Sequence, residues 1–337
     1  MLELSVNSKS PAAITAAFKK IKEMVSTGAV PKTETVHLVL EAGQYRELVR
    51  YNMSNPLVME SAPNVKKEDC LVLADNCESF HSGAENRSVC VFGPNCTSIT
   101  LRGFSIINEH KKSIEEGSTL PDAGEAFFWN NTSGTLLAEN MSFEGRQNTV
   151  NLKGFTCFKS CSITGDIDFI YGDVDTSLFE DCSIHVREDN RGDFNGYAVK
   201  SLALANRPGF LFSNCNFTCD KRKKSSVFLA RTQGKGSVLM PKFWDSIALI
   251  KCTVSEDFNQ EFIWDDDMEL DIYPRGNAKT GLREYGTKNL LKDGAALDAD
   301  TSHRNVKSYT MTEDDFYRFY ASRYLMLQNT PLARFAE

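Results

Sequence analysis

Apolar residues follow a helical period near the N-terminus and a strand period after it. Residues 11–25, PAAITAAFKKIKEMV, place Ile14, Phe18 and Ile21 along one side of a helix. The next apolar segment, TVHLVLEAG at 35–43, has the composition of a β-strand. The pattern therefore predicts one amphipathic helix followed by a chain rich in strands.

From about residue 98 a short motif returns again and again. It consists of an apolar residue, two further residues, a small apolar residue or cysteine, one residue and a final apolar residue. The copies are LRGFSI (101–106), AENMSF (138–143), FKSCSI (158–163), FEDCSI (179–184), FSNCNF (212–217) and LIKCTV (249–254). Their fourth positions hold Phe104, Met141, Cys161, Cys182, Cys215 and Cys252. The shortest intervals, Met141 to Cys161 and Cys161 to Cys182, are 20 and 21 residues, the length of one solenoid coil.

The return of one residue type at one strand position favours a parallel β-helix over a sheet sandwich, because equivalent positions of a solenoid stack in ladders. The longer intervals indicate coils with loop insertions. We predict an all-β fold, a right-handed parallel β-helix that forms one domain over residues 1–337. Residues 1–30 would form an N-terminal cap with its helix, 31–290 the coils and groove loops, and 291–337 a tail with a helix at 312–328.

Composition excludes several classes of function. The chain has 38 basic and 45 acidic residues and a net charge of −7, which argues against nucleic-acid or membrane-surface binding. Its ten cysteines lack paired CxxC spacing, so we expect buried thiols in a reducing compartment and no metal site. The start of the chain lacks a basic segment followed by an apolar run. We therefore expect a cytoplasmic protein, unless a leader has already been removed.

One predicted strand carries unexpected acidic residues. In SITGDIDFIYGD, residues 162–173, strict alternation places Asp166 and Asp168 on one face and Phe169 and Tyr171 on the other. A carboxylate on a rigid strand beside aromatic residues is either a reactive group or a solvated charge. Alternation alone leaves both readings open.

Several segments, taken together, resemble the pectin methylesterase family. The strongest is GDIDFIYGD (165–173), which is similar to the family signature GxxDFIFG. Weaker similarities, in the same order along the chain, are EAGQYRELV (41–49) to GxYxE, FEGRQNTVNL (143–152) to GYQDTLYV, FLARTQ (228–233) to LGRPW, and REYG (283–286) to YGEY. The correspondence runs from about residue 3 to 290. It implies a pectin-lyase-like β-helix with a substrate groove, which hydrolyses the methyl ester of a sugar carboxylate without metal or cofactor.

The resemblance assigns roles to three residues that match the family. Asp168 stands at the nucleophile, Arg231 at the arginine that pairs with it, and Gln147 at one of two glutamines that stabilise the oxyanion. Three further positions depart from the family. Glu125 replaces the second oxyanion glutamine, and Asn148 replaces the aspartate that acts as general acid. At the third position, Gln233 replaces a tryptophan that stacks on the sugar.

The loss of the acid at Asn148 raises a chemical problem, because an amide cannot give up a proton. A positioned general acid contributes about 10²- to 10⁴-fold in rate. Residues 125, 147 and 168 are 22 and 21 positions apart, about one coil each, so we expect them to stack on one groove wall. Our hypothesis is that Glu125 shares protonation with Asp168, is protonated at rest, and supplies the missing proton. In the alternative, Glu125 is ionised and the site has drifted.

Aromatic residues near these positions are candidates for sugar contacts. Phe169 and Tyr171 follow the predicted nucleophile, and Trp129 in FFW (127–129) could take the place of the missing stacking residue. Each could instead be packed inside the solenoid.

The leading functional prediction is a carbohydrate esterase that acts on a methyl or other ester of a uronate-containing polymer or oligosaccharide of the oligogalacturonide type. The alternative is a carbohydrate-binding β-helix with a relict site. A polysaccharide lyase would require a calcium-binding carboxylate set, for which WDDDMELD (264–271) lacks the glycine-containing loop spacing. The sugar, the ester group and the oligomeric state remain open.

Overall fold

The computed structural model describes residues 1–112, 122–190, 194–203, 206–221, 226–231, 245–259, 263–265, 275–304 and 307–336. Helix α1, Ala13–Ser26, lies where the apolar period predicts it and buries Ile14, Phe18 and Ile21 against the first coils. A second, short helix, α2, spans Ala84–Arg87.

The strands form two sheets that wind along the molecule. The larger sheet contains β1 (Leu2–Val6), β2 (Val36–Leu40), β4 (Val49–Tyr51), β5 (Leu57–Ser61), β7 (Cys90–Phe92), β8 (Ser98–Arg102), β10 (Phe127–Trp129), β11 (Thr135–Glu139), β13 (Val150–Lys159), β15 (Ile167–Glu180), β17 (Gly196–Ser201), β18 (Gly209–Ser213), β20 (Val227–Arg231), β21 (Ile247–Ile250), β23 (Trp264–Asp265), β24 (Leu282–Tyr285) and β27 (Tyr309–Thr310). The smaller sheet contains β3 (Gly43–Arg46), β6 (Cys70–Ala74), β9 (Ser105–Asn108), β12 (Ser142–Glu144), β14 (Ser162–Gly165), β16 (Ser183–Val186), β19 (Asn216–Cys219), β22 (Thr253–Ser255), β25 (Lys288–Leu290) and β26 (Ala296–Asp298).

Parallel pairing between successive coils builds both sheets, and the closing pair β25–β26 is antiparallel. The coils start earlier than the repeated motif suggests, because β1 already pairs in parallel with β2. Strands β13 and β15 are long and cross from one half of the larger sheet to the other, with a register shift at Gly154. The outer face of the larger sheet therefore has two parts, which we call its two outer surfaces, and they meet at these strands.

The predicted interior ladder is confirmed. All six residues at the fourth motif position are buried and pack in one continuous core. The residues that follow them pair in register from coil to coil, for example Ser142 with Ser162 and Ser162 with Ser183. The thiols donate to carbonyl oxygens of neighbouring strands, as Cys161 Sγ does to the Ala138 oxygen at 3.4 Å. The ladder cysteines are thus satisfied small core residues.

The C-terminal segment covers one of the two outer surfaces. The single helix predicted for 312–328 is instead two short helices, α3 (Glu313–Phe319) and α4 (Arg323–Leu327), followed by a 3₁₀ turn at Pro331–Phe335. Side chains of this segment pack with Leu137, Cys157, Leu178, Leu211 and Ala248 of the larger sheet. No helix among the described residues is long and apolar enough to cross a membrane.

Candidate active site

A row of side chains lies on the other outer surface of the larger sheet. The register pairs Phe128 with Asn151, Asn151 with Tyr171, and Tyr171 with Lys200 across β10, β13, β15 and β17. Lys200 follows the core residue Val199, whose partner on β20 is Ala230, so Arg231 takes the next place. We call Phe128, Asn151, Tyr171, Lys200 and Arg231 the outer row. Five successive coils therefore each contribute one residue to one surface.

A backbone irregularity places Asp168 beside this row. Asp168 has a left-handed φ of 49°, and the pairing of β15 with β17 shifts between Ile167 and Ile170. As a result Phe169 and Ile170, which are adjacent, both point into the core and are fully buried. The strict alternation expected for this strand is wrong here, because a left-handed residue interrupts the pleat.

Asp168 pairs with two cations. Arg231 Nε donates to Asp168 Oδ1 at 2.9 Å, and a terminal guanidinium nitrogen donates to Oδ2. Lys200 Nζ lies 3.7 Å from the same Oδ2. The guanidinium lies over the ring of Tyr197, 4.9 Å from its centroid. The proximity of Asp168 and Arg231 that the motifs predict is therefore present, and Lys200 joins them.

The two cations are more exposed than the carboxylate that they hold. The side chain of Asp168 is 4% exposed, that of Lys200 20% and that of Arg231 35%. The carboxylate thus lies at the bottom of the cluster with the cations around its rim. Such an arrangement can present a nucleophilic oxygen and place positive charge where negative charge develops.

Glu125 lies in a different ion pair. It is fully buried, and both of its oxygens accept from Arg87, Oε2 from Nε at 2.7 Å and Oε1 from a terminal nitrogen at 2.6 Å. Arg87 also donates to Glu78 at 2.5 Å. Burial alone would lower the pKa of Arg87, but hydrogen bonds and charges from Glu125 and Glu78 outweigh it and raise that pKa.

This geometry gives Glu125 a structural partner in Arg87, in place of the shared proton with Asp168 that the sequence hypothesis requires. Both carboxyl oxygens accept from the guanidinium of Arg87, and Asn151 Nδ2 approaches Oε1 at 3.4 Å, so Arg87 and Asn151 hold the side chain in place. Arg87 belongs to α2, 38 residues earlier in the chain. The motif similarity gave no information about this partner.

Gln147 and Asn148 lie in the turn that leads into β13. Gln147 is half-buried, and its carbonyl oxygen accepts from the amide of Gly124 at 3.4 Å. Asn148 has a left-handed φ of 60°, and its amide donates to the Ile167 oxygen at 3.3 Å. The coil pairing therefore brings Asn148 next to the strand position of Asp168. Gln233 lies outside the described residues.

Two of the three aromatic candidates do not face the groove. Trp129 and Phe169 are fully buried members of the core, which contradicts the prediction that they contact substrate. Tyr171 lies half-buried in the outer row. Burial raises the pKa of its phenol, and the negative charges of Asp168 and Glu125 raise it further. A concavity of about 250 Å³ lies beside Tyr171, at the Phe128 end of the outer row.

Asp166, two residues before Asp168, has a structural partner. It is fully buried, and Lys112 Nζ donates to it at 2.6 Å and to Asp189 at 2.8 Å. This buried cluster connects the strand of Asp168 to two other segments of the chain. Asp166 is thus neither a solvated charge nor a second nucleophile.

One group among the described residues could hold a metal ion. The ligand atoms of Cys77, His110 and Asp122 lie within 4.8 Å of one another. The His110 ring is hydrogen-bonded on both sides, to Asp75 at 3.0 Å and to Asp122 at 3.3 Å.

Sequence reasoning missed Lys200, Arg87 and Tyr197. The signal for Lys200 was available, because it is the single charged residue in the strand GYAVKS. Its position beside Asp168 depends on the register shift at Asp168, which the sequence pattern does not show.

Together, the stacked coils and this cluster define a parallel β-helix protein with a carboxylate–guanidinium site on an outer sheet surface. The model of the pectinesterase family matches residues 11–234, a range that includes every predicted site residue. The chain therefore belongs to the pectinesterase family.

Known relatives agree with this assignment. Putative pectinesterase 14 of Arabidopsis thaliana is 25% identical over 214 residues, which cover 61% of this chain and 59% of that protein. The chain spans less than two thirds of the length of such curated relatives. A pectin methylesterase from Erwinia chrysanthemi superimposes with a TM-score of 0.71 at 15% identity, over 98% of each chain.

A second solved structure is a pectin methylesterase in complex with a hexasaccharide. It superimposes with a TM-score of 0.72 at 15% identity, over 98% of this chain and 99% of that one. These matches confirm the predicted right-handed β-helix fold.

Proposed function

We propose that this protein is a carbohydrate esterase that hydrolyses a methyl ester of a uronate-containing polymer or oligosaccharide, with Asp168 as the nucleophile. One observation carries the proposal. In a chain of the pectinesterase family, the left-handed conformation of Asp168 places a carboxylate outside the core, where it contacts both Arg231 and Lys200.

In the first step an oxygen of Asp168 attacks the ester carbonyl carbon. The carbonyl π electrons move onto its oxygen, which becomes an oxyanion, and the side-chain amide of Gln147 donates a hydrogen bond to it. The oxyanion then collapses, the bond to the methoxy oxygen breaks, and an anhydride between Asp168 and the sugar carboxyl remains. The methoxy oxygen needs one proton to leave as methanol.

In the second step water attacks the anhydride. The sugar carboxylate and the carboxylate of Asp168 are released, and the water gives up two protons. One of these protons restores the acid that protonated methanol, and the other passes to solvent. The sum is one ester and one water converted to one carboxylate, one methanol and one proton.

The outer row provides a surface for the sugar chain. A similar solved structure holds a hexasaccharide, and we infer that an oligosaccharide crosses the coils here as well. Tyr171 would contact a ring next to the reacting one, and the concavity beside it would hold a further unit. The cations at the other end of the row favour an acidic sugar.

The test is methanol release from methyl-esterified oligogalacturonides, with Asp168→Asn as the key variant. We expect methanol release to fall roughly 10⁴-fold or more. Asp181→Asn is the matched control, because Asp181 also has a left-handed φ, of 54°, but lies at a coil corner. This control keeps wild-type turnover.

Methanol release by Asp168→Asn within about tenfold of the wild type would rule out the nucleophile. A wild type that binds the oligosaccharide without turnover would establish the alternative, a relict carbohydrate-binding module. Proton release without methanol would identify a different ester as the substrate.

A further inference from the structure

Among the described residues, none of those assigned so far donates the methanol proton. Asn148 stands where the family has an acid, and an amide cannot release a proton. Both oxygens of the buried Glu125 are held by Arg87, so we assign Glu125 no part in the proton transfer. Yet the methoxide cannot leave unprotonated at an appreciable rate, so another group must supply the proton.

We propose that the ammonium group of Lys200 is the general acid of this site. The inference rests on the proposed esterase function. It adds a catalytic residue, one coil beyond Asp168 and two coils beyond position 148, that replaces the acid lost at 148.

The distances support direct proton transfer. Lys200 Nζ lies 3.7 Å from Asp168 Oδ2. When Oδ2 bonds to the ester carbon, the methoxy oxygen on that carbon is two bonds from Oδ2. An ammonium in contact with Oδ2 therefore reaches the methoxy oxygen with a small adjustment of its four-carbon side chain. The side chain is 20% exposed, which leaves it room to move.

Other donors near Asp168 are less suitable. Arg231 is closer, but a guanidinium keeps its proton throughout the working pH range of proteins. Tyr171 is the neighbour of Lys200 in the register, and burial together with nearby carboxylates raises the pKa of its phenol, which makes it a weaker acid. Lys200 combines an acidic proton with contact to the nucleophile.

The charges also move in the right direction. At rest the ammonium is held by the negative charge of Asp168. During the attack that charge passes to the oxyanion and then to the methoxy oxygen, so the attraction of the ammonium shifts from Oδ2 to the leaving group. After the transfer Lys200 is a neutral amine next to the anhydride. It can then accept a proton from the attacking water, which restores the ammonium.

The experiment compares two esters of the same oligogalacturonide, the methyl ester and the trifluoroethyl ester. Trifluoroethanol is a much stronger acid than methanol, so its alkoxide leaves without protonation. The variants are Lys200→Met, which removes the charge, and Lys200→Arg, which keeps the charge but cannot release a proton. Lys159→Met is the matched control, because Lys159 is a half-buried lysine that also pairs with a carboxylate, Glu139 at 3.1 Å.

We expect kcat for the methyl ester to fall about 10²- to 10⁴-fold in both Lys200 variants and to be unchanged in the control. For the trifluoroethyl ester kcat should stay within about tenfold of the wild type. Circular dichroism and thermal melts of each variant confirm that it is folded.

Two outcomes separate this inference from the function on which it rests. Equal losses on both esters, or full activity of Lys200→Arg on the methyl ester, would overturn the acid role and leave the esterase proposal intact. A wild type that releases alcohol from neither ester would overturn the esterase proposal itself.

Discussion

The ion pair between Glu125 and Arg87 leads to a prediction that separates structural from catalytic roles. Glu125→Gln preserves the shape of the side chain but removes its charge. One of the two oxygens that accept from Arg87 becomes an amide nitrogen, which is a donor. Arg87 then faces a donor instead of an acceptor in a fully buried position.

The structure sets the size of the effect. Removing one partner of a buried ion pair costs about 3–5 kcal/mol, because the remaining charge stays desolvated. Here Glu78 still accepts from Arg87, and the Arg87 side chain is 15% exposed, which moves the estimate to the lower end. We therefore expect the free energy of unfolding to fall by about 3 kcal/mol, a large part of the stability of a folded domain.

Urea denaturation at neutral pH measures this loss, and methanol release well below the unfolding transition measures turnover. We expect turnover within about tenfold of the wild type, because we assign the proton transfer to Lys200 and not to Glu125. Glu109→Gln is the matched control. Glu109 pairs with Arg46 at 2.7 Å, but the two side chains are 41% and 59% exposed, so the loss should be below about 1 kcal/mol. Unchanged stability of Glu125→Gln together with lost turnover would refute the structural role and restore the chemical one.

Four further predictions follow from individual positions. Asn148→Asp in the Lys200→Met background should raise the rate of methanol release about tenfold or more, because Asp tolerates the left-handed conformation of residue 148 and can carry a proton. No rise in that rate would show that residue 148 cannot reach the leaving group. Trp129→Phe should lower the free energy of unfolding by about 1–3 kcal/mol and leave KM unchanged, since the indole is buried in the core; a raised KM in sugar titrations would contradict this. Burial alone would raise the pKa of Glu139, but its hydrogen bonds to an arginine and a lysine outweigh burial and lower that pKa. The ionised side chain therefore contributes below about 1 kcal/mol to folding stability above about pH 4.3, and this contribution is lost as pH falls through the lowered folded pKa. The urea midpoints of the wild type and of Glu139→Gln should converge in acid. Because the proposed steps use no metal, a chelator should leave turnover unchanged, and inhibition reversed by added Zn²⁺ would point to the Cys77 group.

The fold could be predicted from sequence because solenoid interiors repeat. The ladder positions return at coil length, and a buried position in one coil imposes the same requirement on the next. Helix α1 was equally visible from its apolar period. The C-terminal helix was only partly predicted, because the break between α3 and α4 does not interrupt the apolar pattern.

The site was less predictable because its decisive features are not periodic. Strict alternation failed at Asp168, where one left-handed residue sends both Phe169 and Ile170 into the core. The partner of Glu125 comes from a loop helix in another coil, and no spacing rule connects the two. Trp129 was proposed as a sugar contact because it is aromatic. In the structure it pairs with the core residue Leu152 and lies in the core itself.

The outer row makes the reactive surface modular. Each of its side chains comes from a separate coil, and the backbone ladder keeps the coils in register whatever side chain stands there. A donor lost on one coil can therefore be supplied from another coil of the row without rebuilding the scaffold. The positions of the proposed acid and sugar contacts can therefore change one coil at a time, while the backbone at Asp168 holds the proposed nucleophile in place.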